Sequence, residues 1–148
     1  MTAHQWDRRP VPAVAGGEYA VREWELRSPI DLTVSRGQLR DAALGTPPSA
    51  RIDFDDLQRL LLAFEELAAN GLRHGRAPVQ VRVVGTTEGW LIDVSDADVN
   101  RPPTPLSGPD PAHDDFGLFL AAWLCPSHGW SVCGDRKHVW ACLRPSMT

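Results

Sequence analysis

Three polar side chains, Glu66, Asn70 and His74, follow one another at intervals of four residues in a largely apolar segment. In a helix, residues four apart lie on one stripe, so a carboxylate, an amide and an imidazole would stack along the same face. The amide oxygen is a hard ligand suited to Mg²⁺, and the carboxylate can accept a proton or orient a hydroxyl. The alternative is an ordinary amphipathic helix whose polar stripe contacts water. Spacing alone leaves both interpretations open.

The helix that must position these residues is predicted by its apolar positions. They fall three and four residues apart, which is the period of one buried helical face. Asp53 opens the helix, and further acids follow in the first turn, where the helix dipole favours negative charge. Gly75 and Pro78 predict that the helix ends at about His74. The apolar positions are Leu57, Leu60, Leu61, Phe64, Leu67 and Ala68.

Periodicity and turn signals predict the other elements and hence the fold class. The order of elements predicts an α/β fold, more closely an α+β two-layer sandwich, in which three helices cover one face of a sheet. The sheet is predicted to be mixed, mostly antiparallel, and to have about five strands. In chain order we expect a strand over 19–26, a helix over 29–44, the helix over 53–74, strands over 79–85 and 90–96, a helix over 117–124, and a hairpin of strands 128–134 and 138–143 around Gly-Asp-Arg-Lys.

Composition bounds the class of protein. With 148 residues, 43% hydrophobic and 23% charged, the chain has the size and balance of one globular domain. The net charge is −4 and no long basic run occurs, so nothing indicates a nucleic-acid surface or an anionic membrane. No segment reaches the roughly 20 apolar residues of a membrane helix, and no signal peptide is visible. We therefore expect a cytoplasmic domain over 19–148, preceded by a flexible tail over 1–18.

The cysteines do not indicate chemistry. Cys125, Cys133 and Cys142 are odd in number and widely spaced, and none of the short metal-ligand spacings occurs. We interpret them as thiols that occupy small core or sheet positions.

A long segment and the acid before it are candidates for a site. Residues 97–115 are polar and rich in proline, and a segment of this length without periodicity is usually functional or disordered. Asp96 ends the apolar face that Ile92 and Val94 form on the preceding strand. An acid on a buried face is costly unless it has a partner. The alternative is that Asp96 lies at the exposed end of the strand.

Residues 66–75, Glu-Leu-Ala-Ala-Asn-Gly-Leu-Arg-His-Gly, resemble the N-box of the GHKL (histidine-kinase-like) ATPase superfamily. Within it, the chain is most similar to the small bacterial anti-sigma-factor serine/threonine kinases and their actinobacterial relatives. Residues 22–24, 93–96 and 137–140 also resemble this subgroup, and the four segments together span most of the chain. The resemblance implies the Bergerat-type ATP-binding fold.

The resemblance also implies roles for individual residues, with ATP and Mg²⁺ as cofactors and residues 97–115 as the ATP lid. It implies a sigma factor, an anti-anti-sigma (STAS-type) protein or both as partners, together with homodimerisation. The implied roles are Mg²⁺ binding for Asn70, activation of the attacking hydroxyl or water for Glu66, a phosphate-proximal charge for Arg73, adenine recognition for Asp96, and phosphate binding after the lid for Gly117 and Leu118.

Departures from the family pattern leave a second function open. Asp98 and Asn100 stand where relatives have glycines, and Asp115 lies just before Gly117 in a loop where relatives have more glycines. Glycine allows close backbone approach to a ligand, and an aspartate at a helix start can cap the N–H groups that would bind phosphate. The alternative to a kinase is therefore a nucleotide-free adaptor that binds proteins. The catalytic domain of a sensor histidine kinase is a weaker third hypothesis, because no phosphoacceptor motif precedes Tyr19.

Overall fold

The computed structural model describes residues 6–13, 20–45, 52–86, 88–103 and 116–145. Every predicted helix and strand is present, with ends that differ from the prediction by at most two residues; Tyr19, the expected first residue of the first strand, lies outside the described residues. The helices are α1 (Pro29–Leu44), α2 (Phe54–His74) and α3 (Phe116–Leu124), and the strands are β1 (Ala20–Leu26), β2 (Val79–Thr86), β3 (Gly89–Asp96), β4 (Ser127–Cys133) and β5 (Arg136–Leu143).

The two-layer architecture is confirmed, and the five strands form no mixed pairing among themselves, although a parallel bridge joins Arg8 to Trp130 at the edge of β4. The strand order is β1-β2-β3-β5-β4, and each of the four pairings between these strands is antiparallel. The chain crosses from β3 through α3 to β4, which would suit a parallel pair. However, β3 and β4 do not pair with each other, because β5 lies between them and is antiparallel to both.

The turn between β4 and β5 is tighter than predicted. Cys133 pairs with Arg136, so only Gly134 and Asp135 lie between the strands. Gly134 has a φ of 62°, a left-handed conformation that favours glycine and suits two-residue hairpins. Strand alternation sets the core face of β5, on which Val139, Ala141 and Leu143 are buried in the main core.

Helix α2 is the centre of that core. Its N-terminus is capped by Asp53, whose side chain accepts a hydrogen bond from the Asp56 backbone N–H at 2.8 Å. All six predicted apolar positions of α2 are buried. They pack against the helix-facing side of the sheet, which includes Val81, Ile92 and Val94.

The three cysteines are free thiols, as predicted. Cys133 is exposed, Cys142 is partly buried and Cys125 is fully buried. Burial raises the pKa of Cys125 to about 12, which keeps this thiol protonated and makes it a poor nucleophile. None of the helices in the described part of the chain has the length and apolarity needed to span a bilayer.

A segment near the N-terminus packs against the domain. Trp6 is 6% exposed, and its indole Nε1 donates a hydrogen bond to the Leu118 carbonyl oxygen at 3.2 Å. The Arg9 N–H donates to the Trp130 carbonyl at 2.8 Å, and the Trp130 N–H donates to the Asp7 carbonyl at 3.1 Å. These contacts attach the segment to the outer edge of β4.

The same segment then reaches the other face of the sheet. The Trp140 indole Nε1 donates to the Arg9 carbonyl oxygen at 3.0 Å, and Val11 packs against a small cluster formed by Val84, Leu91 and Trp140. The prediction of a flexible tail over 1–18 is therefore wrong for the described residues 6–13, which pack against the domain. The Trp6 partner, Leu118, is 112 positions away along the chain. Residues 1–5 and 14–18 lie outside the described residues.

We predict that Trp6→Ala lowers the free energy of unfolding by about 3 kcal/mol, because it removes a buried aromatic ring and leaves the Leu118 carbonyl without its donor. The matched control is Trp123→Ala, since the Trp123 side chain is 66% exposed and its removal should cost less than about 1 kcal/mol. Urea unfolding followed by circular dichroism measures both values. Equal effects of the two substitutions would show that Trp6 does not contribute to the core.

Candidate functional site

The polar stripe of α2 faces into the protein. Asn70 is only 7% exposed, and Glu66 and His74 are partly buried. The same helix therefore presents two inward faces, an apolar one toward the sheet and a polar one beside it. The alternative that this stripe simply contacts water is wrong for Asn70, which is the residue implied as a Mg²⁺ ligand.

Asn70 opens into a cavity of about 350 Å³. The other lining residues are His74, Lys137 and residues 100–103. The wall formed by residues 100–103 belongs to the predicted lid, and it is anchored where the Ala97 N–H donates to the Arg76 carbonyl at 2.8 Å. Residues 104–115, the remainder of the predicted lid, lie outside the described residues.

Asp96 is buried at the end of β3 and has three hydrogen-bond donors around it. Its Oδ1 accepts from the backbone N–H of Asp98 at 2.7 Å and of Arg76 at 3.3 Å. Its Oδ2 lies 3.5 Å from the Lys137 Nζ, which is directly opposite on β5. The alternative of an exposed strand end is therefore wrong, and the partner that a buried acid requires is Lys137.

Lys137 is the residue that the sequence interpretation did not assign. It is 4% exposed, lines the cavity, and donates from Nζ to the Arg101 carbonyl oxygen at 2.7 Å. Because β5 begins two residues earlier than predicted, Lys137 lies within the strand, on the same core face as Val139 and Ala141. A lysine at such a position is as unusual as the aspartate that ends β3.

Glu66 lies against the start of α3. A Cβ on Gly117 would overlap the Glu66 Oε2, so a larger residue at this position would push the carboxylate away from the start of α3. Burial is the main cause of a raised pKa for the Glu66 carboxyl, with a smaller contribution from the charge of Glu65, while Arg73 opposes the shift. A carboxylate with a raised pKa is a stronger base than an ordinary glutamate.

Asn70 is the one residue of the six implied for the site that lines the cavity, and Arg73 and Leu118 lie farthest from the implied roles. Arg73 is exposed and does not line the cavity, although its charge acts on Glu66. The Leu118 side chain is 1% exposed within the hydrophobic core, and its carbonyl binds Trp6. The structure therefore brings Asn70 to the cavity, Asp96 behind Lys137, and Glu66 to Gly117.

The residues present suit a magnesium ion that is shared with a ligand. Within the described ranges, no group of three or more His, Cys, Asp and Glu side chains could hold a metal ion by itself. Mg²⁺, however, is commonly held by one or two protein oxygens, with waters and phosphate oxygens as its other ligands. The amide of Asn70, in a cavity that also holds a buried cation, fits this kind of site.

A scan against models of protein families finds no match for this chain, and a search of curated proteins also finds none. The fold and the site together define an α+β sandwich with a polar cavity beside its central helix, α2.

We predict that Glu66→Gln stabilises the protein at neutral pH but not in acid. The raised pKa means that the folded protein holds this proton more tightly than the unfolded chain, whose glutamate has the ordinary pKa of 4.5. The stabilisation from the bound proton is complete below that value and is lost as the pH rises through the folded pKa. Thermal unfolding should give a higher Tm for Glu66→Gln than for wild type at about pH 7, and similar values at about pH 4.

The control is Glu88→Gln, which changes an exposed glutamate in the turn between β2 and β3. The Tm difference between Glu88→Gln and wild type should be the same at about pH 4 and at about pH 7. A Glu66→Gln variant that is less stable than wild type at neutral pH would show that the ionised carboxylate has a stabilising partner instead.

Proposed function

We propose that the chain is an ATP-binding regulatory protein of the anti-sigma-factor serine/threonine kinase type. The observation that carries this proposal is the buried amide of Asn70, which shares a cavity of about 350 Å³ with the ammonium group of Lys137. An oxygen ligand for Mg²⁺ next to a buried cation is suited to a polyphosphate with its metal ion.

The neighbouring groups have complementary roles in this proposal. Bound Mg-ATP would supply the phosphoryl group for transfer. Asn70 would hold the metal ion through its amide oxygen, and Glu66 would accept the proton of the attacking serine hydroxyl at a carboxylate oxygen. Its raised pKa favours that step. Phosphoryl transfer depends mainly on positioning and charge neutralisation, so few further groups are required.

The proposed partners follow from the type of kinase. The protein would bind a sigma factor, an anti-anti-sigma (STAS-type) protein or both, and would control transcription by partner switching in the cytoplasm. Phosphorylation of a serine on the antagonist would release or retain the sigma factor. A homodimer is part of this proposal.

A nucleotide-free adaptor is the second candidate, and one observation favours it. The carboxylate of Asp96 is already paired with two backbone N–H groups and with Lys137, which in turn donates to Arg101. A buried polar network that is satisfied internally needs no ligand to stabilise it. Such a protein would keep the fold and bind partners without ATP.

Calorimetric titration with ATP, in the presence and absence of Mg²⁺, distinguishes the two candidates. We expect Mg-dependent binding by the wild type and at least about tenfold weaker binding by Asn70→Ala, because one ligand of the ion is removed. Gln58→Ala is the matched control, since it truncates an exposed amide on the same helix. If the folded wild type fails to bind at millimolar ATP, the kinase proposal is wrong and the adaptor remains.

A further inference from the structure

Trp6 is connected to both ends of α3. Its indole Nε1 donates to the Leu118 carbonyl oxygen at 3.2 Å, in the first turn of the helix. Its ring packs against the His128 imidazole, with the two ring centroids 4.8 Å apart. The His128 Nδ1 in turn lies 2.9 Å from the carbonyl oxygen of Cys125, the residue directly after α3. One buried side chain therefore contacts the start of the helix directly and its end through one neighbour.

The segment that carries Trp6 is itself fixed to the sheet. Asp7 and Arg9 exchange backbone hydrogen bonds with Trp130 on β4. The Trp140 indole Nε1 on β5 donates to the Arg9 carbonyl oxygen at 3.0 Å. Trp6 therefore projects from a backbone that is anchored to two strands, so it can hold α3 in place.

The first turn of α3 is also the surface against which Glu66 packs. Gly117 is buried, and its Cα lies so close to the Glu66 carboxylate that a Cβ would overlap the Oε2. Within the described ranges, the Glu66 carboxylate has no hydrogen bond or ion pair. Its surroundings are therefore set by what packs against it. Leu118, which accepts the Trp6 hydrogen bond, is the residue directly after Gly117.

The charges near Glu66 have less effect on it than burial does. Helix α3 has no charged side chain. On α2, the charge of Glu65 raises the pKa of Glu66 and that of Arg73 lowers it, and burial is a larger cause than either. If the start of α3 moved away from α2, water would reach the carboxylate and the effect of burial would decrease.

We infer that Trp6 is a positioning residue for the Glu66 carboxylate, and that it acts through α3 by holding Leu118, and with it Gly117, against α2. The positioning itself requires no nucleotide, whereas its use in phosphoryl transfer rests on the function proposed above. The N-terminal segment is in this way part of the site, although none of its described residues lines the cavity.

The effect of Glu66→Gln on Tm at about pH 7 measures how far the carboxylate is buried. We expect this substitution to raise Tm in the wild type, and to raise it by less than about half as much in a Trp6→Leu background, because a displaced α3 leaves the carboxylate in water. Trp6→Phe keeps a buried aromatic ring and loses only the Nε1 donor, so it is the milder change. It should reduce the increase in the same direction, and it decides the test if Trp6→Leu does not fold.

Val11→Ala is the matched control. Val11 belongs to the same segment, but it packs on the other face of the sheet, against Val84, Leu91 and Trp140. Its truncation loosens the segment without touching α3, so Glu66→Gln should raise Tm as much in this background as in the wild type. The control separates an effect on Glu66 from a general loss of stability.

A second readout is hydrolysis of ATP in the presence of Mg²⁺, in which water replaces the serine hydroxyl as acceptor of the phosphoryl group. Asn70 lines the cavity and Glu66 does not. We therefore expect Trp6→Leu to lower kcat at least about fivefold and to keep KM within about twofold. A rise in KM without a fall in kcat would show that Trp6 acts on ATP binding, and the inference would fail.

The remaining outcomes have separate meanings. An equal increase in Tm in the wild-type and both Trp6 backgrounds would show that α3 is held by its own packing, and the inference fails. If Glu66→Gln does not raise Tm even in the wild type, α3 does not bury the carboxylate and the inference fails as well. If the wild type neither binds nor hydrolyses ATP, the proposed function fails, and the Tm comparison alone decides this inference.

Discussion

The ion pair between Asp96 and Lys137 is the constraint on which the site depends. Both residues lie on the helix-facing side of the sheet, and the pair contributes little net stability, whereas removal of one partner would leave a buried charge at a cost of about 3–5 kcal/mol. A slip of one residue between β3 and β5 would turn Lys137 to the opposite face and leave Asp96 alone. The pair therefore favours the same register of β3 and β5 as their buried apolar residues do, and Lys137 in turn bonds the Arg101 carbonyl at the cavity.

Helix α2 connects this constraint to the rest of the fold. Its apolar face packs on the sheet, so the position of the helix is set by core packing and not by the polar groups. The polar residues Glu66 and Asn70 are carried to their places by the same packing. Because core packing sets the positions of these two residues, no ligand is needed to place them, which reduces the ordering cost of binding.

The sequence was informative where the signal is local. The apolar period of α2, the Asp53 cap and the alternation of the strands predicted nearly all the element ends, and the stripe of Glu66 and Asn70 follows from helical geometry. Pairing between distant segments was not predictable in the same way. Residues 6–13 have no periodicity, and the Trp6 contact with Leu118 spans 112 positions. Lys137 was missed because the hairpin prediction placed it in the turn, one residue before the expected strand, whereas β5 begins at Arg136 and pairs Lys137 with Asp96.

The attachment of Asp7 and Arg9 to Trp130 has a consequence for assembly. Trp130 is the middle residue of β4, so the chain's own backbone occupies the centre of one outer edge of the sheet. Exposed strand edges are where other chains add by backbone pairing. Among the described strands, β1 is the other outer strand, and it carries the charged side chains of Arg22, Glu23 and Glu25. Growth of the sheet by an added strand is thus directed to one side of the molecule, and charge on β1 limits which strands can join it.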